Sequence, residues 1–210
     1  VQEALNTTSV WIEKNQNKLT WAVTIIVVLV VGALALNTYV IKPKAVEASN
    51  ENAKAVAYFM QGDWEKALNG DDAECIGFQA VADEYKCYQA GKLAALYTGV
   101  CYYQMGQFED AAAYLNKFSA DDLTIEPAAL QLLGDAYVQM EDFAKAVKAF
   151  EAAAKSGNEL IAPMSLKKAG LGYLELGNKA AAKKAFETIK TDYPASTEAQ
   201  NIEAYIAIAE

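Results

Sequence analysis

The side chains that could do chemistry in this 210-residue chain are carboxylates, lysines and three cysteines. All 18 basic residues are lysines, and the chain contains neither arginine nor histidine. These absences remove the commonest general base, the histidine metal ligands and the arginine that clamps phosphate. We therefore expect no catalytic site, no metal, no cofactor and no small-molecule substrate. The net charge of −9 also argues against a nucleic-acid partner.

The cysteines do not form a recognisable chemical motif. Cys75, Cys87 and Cys101 have no C-x-x-C spacing and are too few for a disulfide framework. Residues 77–85 have the pattern of a short helix, whose rise would hold Cys75 and Cys87 roughly 18 Å apart. This separation is far beyond the approximate 7 Å limit for bridging two Cα atoms. Paired carboxylates are expected on solvated faces and turns, at Glu109-Asp110, Asp121-Asp122 and Glu141-Asp142.

One pattern recurs three times between residues 92 and 194, and its glycines are 35 and 36 residues apart. Each copy has a glycine, a tyrosine three residues later, and, after a turn, an alanine and then a large apolar residue. We interpret the glycine and alanine as the crossing point of two helices, and the tyrosine as the filling between them. Because one such unit cannot bury its apolar face alone, copies must stack. The pattern comprises Gly99, Tyr102, Ala111 and Leu115; Gly134, Tyr137, Ala146 and Phe150; and Gly170, Tyr173, Ala182 and Phe186.

This pattern resembles the tetratricopeptide repeat (TPR), whose period is about 34 residues. The resemblance covers roughly residues 50–194 and implies an all-α solenoid of about four helix pairs, the first degenerate. The position that is often tryptophan in the family is occupied by Ala95, Leu130 and Leu166. Glu141 stands where a turn glycine is usual. We expect a type I turn there, which needs no glycine.

In TPR folds the first helix of each pair lines a concave groove, and the resemblance carries this role to three sets of positions. The lining is apolar with few polar groups, and it lacks the clamp that grips a peptide carboxylate. We expect an apolar helix or extended segment as the ligand, or a groove occupied by intramolecular packing. The predicted lining residues are Leu93, Leu96, Val100, Tyr103 and Gln104; Gln131, Asp135, Val138 and Gln139; and Met164, Lys167, Leu171, Leu174 and Glu175.

A long apolar segment precedes the repeats. Residues 19–41 carry no charge, and about 20 apolar residues span a bilayer as a helix. We predict a transmembrane helix over 19–41, after a polar N-terminal segment over 1–18. A cleaved signal peptide is the alternative, because Ala33-Leu34-Ala35 resembles a cleavage site. Lysines on the two sides of the span do not decide its orientation.

The remaining segments complete the predicted domain organisation. A juxtamembrane helix is expected over 42–62, the solenoid over 63–194, and a capping helix over 195–210. The sequence Asn69-Gly70-Asp71-Asp72 interrupts the first repeat, either as a simple loop or as a partner-specific contact. The last helix is expected to cap the solenoid, or to dock another subunit, through an apolar stripe of Ala199, Ile202, Tyr205, Ile206 and Ala209.

The layout resembles the single-span TPR proteins that accompany the bacterial Sec translocon (YfgM-type). That resemblance implies an inner-membrane anchor, a periplasmic solenoid, and partners among translocon subunits, a membrane-anchored prolyl-isomerase chaperone and client chains. A structural subunit of another envelope complex, in secretion or respiration, is the alternative. A receptor facing the cytoplasm is a third possibility, and labelling Cys75 or Cys87 from one side of sealed membranes would test it.

Overall fold

The computed structural model describes residues 11, 13–71 and 74–210. Most of the predicted polar segment, 1–18, lies outside the described residues. The chain divides into two units, the first ending at Glu47 and the second comprising Ala48–Glu210. The second unit therefore begins inside the segment predicted as juxtamembrane.

The described part of the first unit is helical, and most of it is apolar. Helix α1 (Gln16–Leu36) has no buried residue, and a π-helical turn (Asn37–Ile41) follows it. The hydroxyl of Thr24 donates to the carbonyl of Thr20 at 2.8 Å, so this polar group is satisfied within the helix. Within the described ranges, Gln16–Met60 is the one helical stretch long and apolar enough to cross a membrane.

The second unit is built from short helices in antiparallel succession. Each packs on the next, from α3 through α11, so that successive pairs stack into a solenoid. The single β pairing within the described ranges is an isolated bridge between Asp71 and Cys75. The helices are α2 (Lys42–Met60), α3 (Trp64–Asn69), α4 (Gly77–Glu84), α5 (Gln89–Gln104), α6 (Phe108–Leu115), α7 (Ile125–Gln139), α8 (Phe143–Ala154), α9 (Ile161–Glu175), α10 (Lys179–Asp192) and, after a 3-10 turn (Glu198–Asn201), α11 (Ile202–Ile208).

The helix crossings lie at the recurring glycines. A Cβ added to Gly134 would lie 2.4 Å from Cε1 of Phe150, and one added to Gly170 would lie 2.3 Å from Cε1 of Phe186. Real Cβ atoms do not approach that closely, so each glycine permits an aromatic ring to lie directly on the helix backbone. Phe150 and Phe186 are almost fully buried as a result.

An aromatic cluster joins the first helix pair to the second. The Phe59 ring of α2 lies 5.1 Å from Trp64 and 5.0 Å from Tyr97, centroid to centroid. The Phe78 ring stacks on Tyr97 at 4.7 Å. These contacts show that packing of the second unit begins within α2.

The turn after α7 places a left-handed conformation at Glu141. Its φ of +57° is left-handed, close to the +74° of Gly106 and +70° of Gly177 in the equivalent turns. The chain thus adopts at Glu141 the positive φ that glycines adopt in the equivalent turns. A side chain in this conformation costs about 1–2 kcal/mol.

Replacing Glu141 by glycine should therefore stabilise the solenoid. We expect a gain of about 0.5–1 kcal/mol, since relief of the strain exceeds the extra entropy of an unfolded glycine. Urea unfolding followed by circular dichroism measures it. In the reverse change, Gly177→Ala, no atom lies within 4 Å of the new Cβ. This variant should lose a similar amount of unfolding free energy. An unchanged or lowered midpoint for Glu141→Gly would contradict the strain.

Candidate interaction surface

The predicted groove residues lie on three helices that pack side by side, α5, α7 and α9. Three apolar side chains among them remain well exposed: Leu93 and Met164 at 37% and Leu171 at 42%. Leu96 and Leu174 are half-buried and pack against the core clusters. Val100, Tyr103 and Val138 are also half-buried, whereas Gln104, Gln139 and Glu175 are exposed. The surface therefore keeps accessible apolar side chains near its two ends.

Several polar groups of this surface already have partners within the chain. The ammonium of Lys168 donates to both carboxylate oxygens of Asp135, at 2.8 and 2.7 Å. The amide of Gln131 donates to the hydroxyl of Ser165 at 3.3 Å. Lys167 lies 4.6 Å from the ring centroid of Tyr205. These contacts join α7 to α9 and α9 to α11, and they leave fewer polar groups free for a ligand.

Lys168 is a residue that the sequence reasoning missed. It follows Asp135 by 33 residues, close to one repeat period, so the two lie on adjacent copies of the same helix. The pKa of Tyr103 is raised, first by burial of its hydroxyl and second by the negative charge of Asp135. The neutral hydroxyl of Tyr103 and the paired carboxylate of Asp135 therefore occupy the central part of the surface.

A further inter-repeat hydrogen bond joins α8 to α9. The hydroxyl of Tyr173 on α9 donates to Oε1 of Glu151 on α8 at 2.6 Å. This hydrogen bond, followed by burial, raises the pKa of Tyr173 to about 12. A charge-assisted bond between repeats stabilises their relative position.

Replacing Tyr173 by phenylalanine should cost about 1–2 kcal/mol of unfolding free energy, because the Glu151 carboxylate loses a charge-assisted donor. Urea unfolding of the purified protein measures the loss. Tyr103→Phe is the matched control, since the Tyr103 hydroxyl has no hydrogen-bond partner in the part of the chain that the structure describes. Equal losses of unfolding free energy in the two variants would show that the hydrogen bond to Glu151 does not stabilise the fold.

The C-terminal stripe is covered by the solenoid itself. Ile202, Ile206 and Ala209 are buried in one cluster with Phe186 and Ile189 of α10. Tyr205 lies 5.5 Å from the Phe186 ring, centroid to centroid. These side chains already cover the end of the last helix pair. The stripe is therefore not exposed for docking another subunit, which was the alternative prediction.

The structure describes the loop that interrupts the first repeat up to Asp71 and again from Glu74. Gly70 and Gly77 have φ values of +82° and +79°, and a Cβ on Gly70 would lie 2.0 Å from the carbonyl oxygen of Cys75. One carboxylate oxygen of Asp71 accepts from the backbone N–H groups of Glu74 and Cys75, and the other accepts from the hydroxyl of Tyr58. The loop is thus fastened to α2.

The three cysteines are free thiols in different environments. Cys75 and Cys101 are buried, and Cys87 is exposed. Burial raises the pKa of Cys101 to about 12. No group of three or more potential metal-ligating side chains occurs among the described residues.

Stacked antiparallel helix pairs that cross at small residues, each crossing covered by a large apolar side chain, define an α-solenoid of the tetratricopeptide-repeat kind. The family models agree: residues 93–121 and 166–196 match one tetratricopeptide-repeat model, and residues 127–156 match another. The chain therefore carries tetratricopeptide repeats, the class of domain that serves protein–protein interaction.

Solved structures share the fold. The crystal structure of MamA is 20% identical, with a TM-score of 0.53, and the match covers 74% of this chain and 91% of that one. A Podosopora anserina protein described as a kinesin light chain, with nearly identical TPR-like repeats, is 14% identical. Its TM-score is 0.55, with 79% of this chain and 86% of that one covered. At these identities the likeness concerns the fold alone. The comparison with curated proteins found no match.

Proposed function

We propose that this protein is a membrane-anchored interaction scaffold that acts by binding rather than by catalysis. The observation that carries the proposal is the pairing of an apolar, unburied helix with a repeat domain built for protein contacts. Side chains such as Trp21 and Leu29 are 70% and 66% exposed. A contiguous apolar surface of this length is stable in lipid and unfavourable in water.

The ligand we propose for the groove is an apolar helix or extended segment of a partner protein. Its support is the exposure of Leu93, Met164 and Leu171, together with the internal pairing of Asp135. The surface offers no free cluster of lysines to hold a peptide carboxylate. Apolar anchors with a few peripheral glutamines suit segments recognised by side-chain burial.

At a finer level, we propose that the protein is an ancillary subunit of the bacterial Sec translocon with its solenoid in the periplasm. There it would tether a membrane-anchored prolyl-isomerase chaperone or emerging client chains. Anchoring both partners to one membrane raises their effective concentration and makes a weak contact frequent. The layout of one span followed by an acidic TPR domain supports this role. A structural subunit of another secretion or respiratory complex is the second candidate, supported by the same layout.

The deciding experiment is crosslinking in intact membranes, followed by purification of the tagged full chain in mild detergent and mass spectrometry. Translocon subunits recovered together with a periplasmic folding factor would support the tethering role. A defined set of other envelope subunits without the translocon would overturn it in favour of the structural role.

A groove variant tests where the partner binds. Leu171→Glu places a charge on the exposed apolar lining and should reduce the recovered partner several-fold. Leu176→Glu is the matched control, since Leu176 is 47% exposed in the turn after α9. If both variants recover the partner equally, the groove is not its binding site.

A further inference from the structure

Two loops that each lead into the first helix of a pair are built alike. In the loop before α7, Oδ1 of Asp122 accepts hydrogen bonds from the backbone N–H groups of Thr124 and Ile125. In the loop before α9, Oδ1 of Asn158 accepts from the N–H groups of Leu160, at 3.0 Å, and Ile161, at 3.1 Å. In each loop, a side chain two residues before the N-cap accepts from the first backbone N–H of the helix and so fixes the loop.

One carboxamide joins the two loops. While Oδ1 of Asn158 accepts from the N–H of Leu160, its Nδ2 donates to the carbonyl oxygen of Leu123 at 3.0 Å. The backbones of Leu123 and Leu160 therefore contact the same side chain, although 37 residues separate them in sequence. The backbones of two leucines in successive repeats are thus held close to one another by one side chain.

These leucines are exposed rather than packed. Leu123 is 68% exposed, Leu160 is 75% exposed, and the neighbouring Ile125 is 48% exposed. An apolar residue before a helix often packs against the first turn as a hydrophobic staple, but side chains this exposed do not. We call Leu123, Ile125 and Leu160 the loop-edge patch. None of them belongs to the predicted groove.

The charges around the loop-edge patch are mostly negative. Asp121 and Glu159 are exposed and precede Leu123 and Leu160 by two residues and by one residue, and Glu126 follows Ile125. The lysines of these loops are Lys155 and Lys117, and Lys117 is paired with Asp83 at 3.1 Å. An acidic rim attracts a basic partner and repels anionic lipid headgroups. If two copies of the chain met at this surface, their acidic rims would repel each other.

We infer that the loop-edge patch is a second docking surface, which binds a basic amphipathic segment of a partner protein. Apolar side chains of that segment cover Leu123 and Leu160, and its lysines or arginines face Asp121 and Glu159. Because Asn158 holds both leucines in place before binding, little backbone order has to be gained on association. This surface is separate from the groove of the proposed scaffold function.

Photocrosslinking in native cells tests the inference with the full chain. A benzophenone amino acid replaces Leu123 or Leu160, and Leu176, exposed in the turn after α9, serves as the control position. We expect both patch positions, and not the control, to yield the same product. The crosslinked residue of the partner should map to a segment in which apolar residues alternate with lysine or arginine.

Charge reversal provides the second readout. Asp121→Lys combined with Glu159→Lys should lower the crosslink yield several-fold, whereas the groove variant Leu171→Glu should leave it unchanged. Loss of the yield in Leu171→Glu would place the contact in the groove instead. Both altered residues in the patch rim are exposed, and an unchanged urea midpoint shows that the variant is folded.

Four results of the crosslinking itself would also overturn the inference. These are a crosslink to a second copy of this chain, a crosslink to lipid, no macromolecular product, or a partner segment without basic residues. An unchanged yield after charge reversal overturns the electrostatic part, and with it the partner class.

Discussion

The double variant Gly170→Ala/Phe186→Ala should lose less unfolding free energy than the sum of the losses in the two single variants. Phe186 is fully buried, so its replacement leaves a cavity and should cost about 3–5 kcal/mol. The methyl group of Gly170→Ala would lie 2.3 Å from Cε1 of Phe186. Such overpacking should cost about 1–3 kcal/mol. In the double variant the added methyl lies in the space that the ring has left, and we expect a coupling of about 1–2 kcal/mol.

Urea unfolding of the four proteins, followed by circular dichroism, gives this coupling directly. Gly177→Ala is the control because its added Cβ has no atom within 4 Å, and its cost should be the same with or without Phe186. If Gly170→Ala and Phe186→Ala prove additive, the ring does not lie on the glycine backbone and the helix crossing is different. A similar cycle at Gly134 and Phe150 should give the same sign.

Cys87 should be the one thiol of the native protein that reacts quickly with a maleimide. It is exposed, whereas Cys75 and Cys101 are 4% and 0% exposed. Because the pKa of Cys101 is about 12, only on the order of 10⁻⁴ of this thiol is ionised at pH 8. We expect Cys87 to be labelled at least about 1,000-fold faster than Cys101, since burial adds to the low thiolate fraction.

Mass spectrometry of digested protein after timed labelling measures the three rates. In urea all three cysteines should react at similar rates, and Cys87→Ser should remove the fast reaction. Fast labelling of Cys101 in the native protein would contradict its burial. With a membrane-impermeant maleimide, sealed vesicles then report the side on which Cys87 lies. Cys75, which the sequence also suggested as a probe, is too buried for this purpose.

The sequence alone predicted the repeat architecture because its signals are local or periodic. Close crossing of two helices demands a residue without a side chain, so glycines 35 and 36 residues apart indicate equivalent crossings. The uncharged residues 19–41 likewise predict a long apolar helix from composition. In each case the physical requirement acts on one residue type at a fixed spacing, and this leaves a readable pattern.

The tertiary structure decided which polar and exposed residues have partners. Asp135 was predicted as a groove-lining residue, and only the packing of α7 beside α9 shows that it forms an ion pair with Lys168. The left-handed turn at Glu141 was missed because neighbouring packing imposes a conformation that glutamate itself disfavours. Asn158 could not be identified as the link between Leu123 and Leu160, since an asparagine in a loop has many local partners. Its actual ones depend on how two repeats meet, and that geometry arises from the summed packing of side chains distant in sequence.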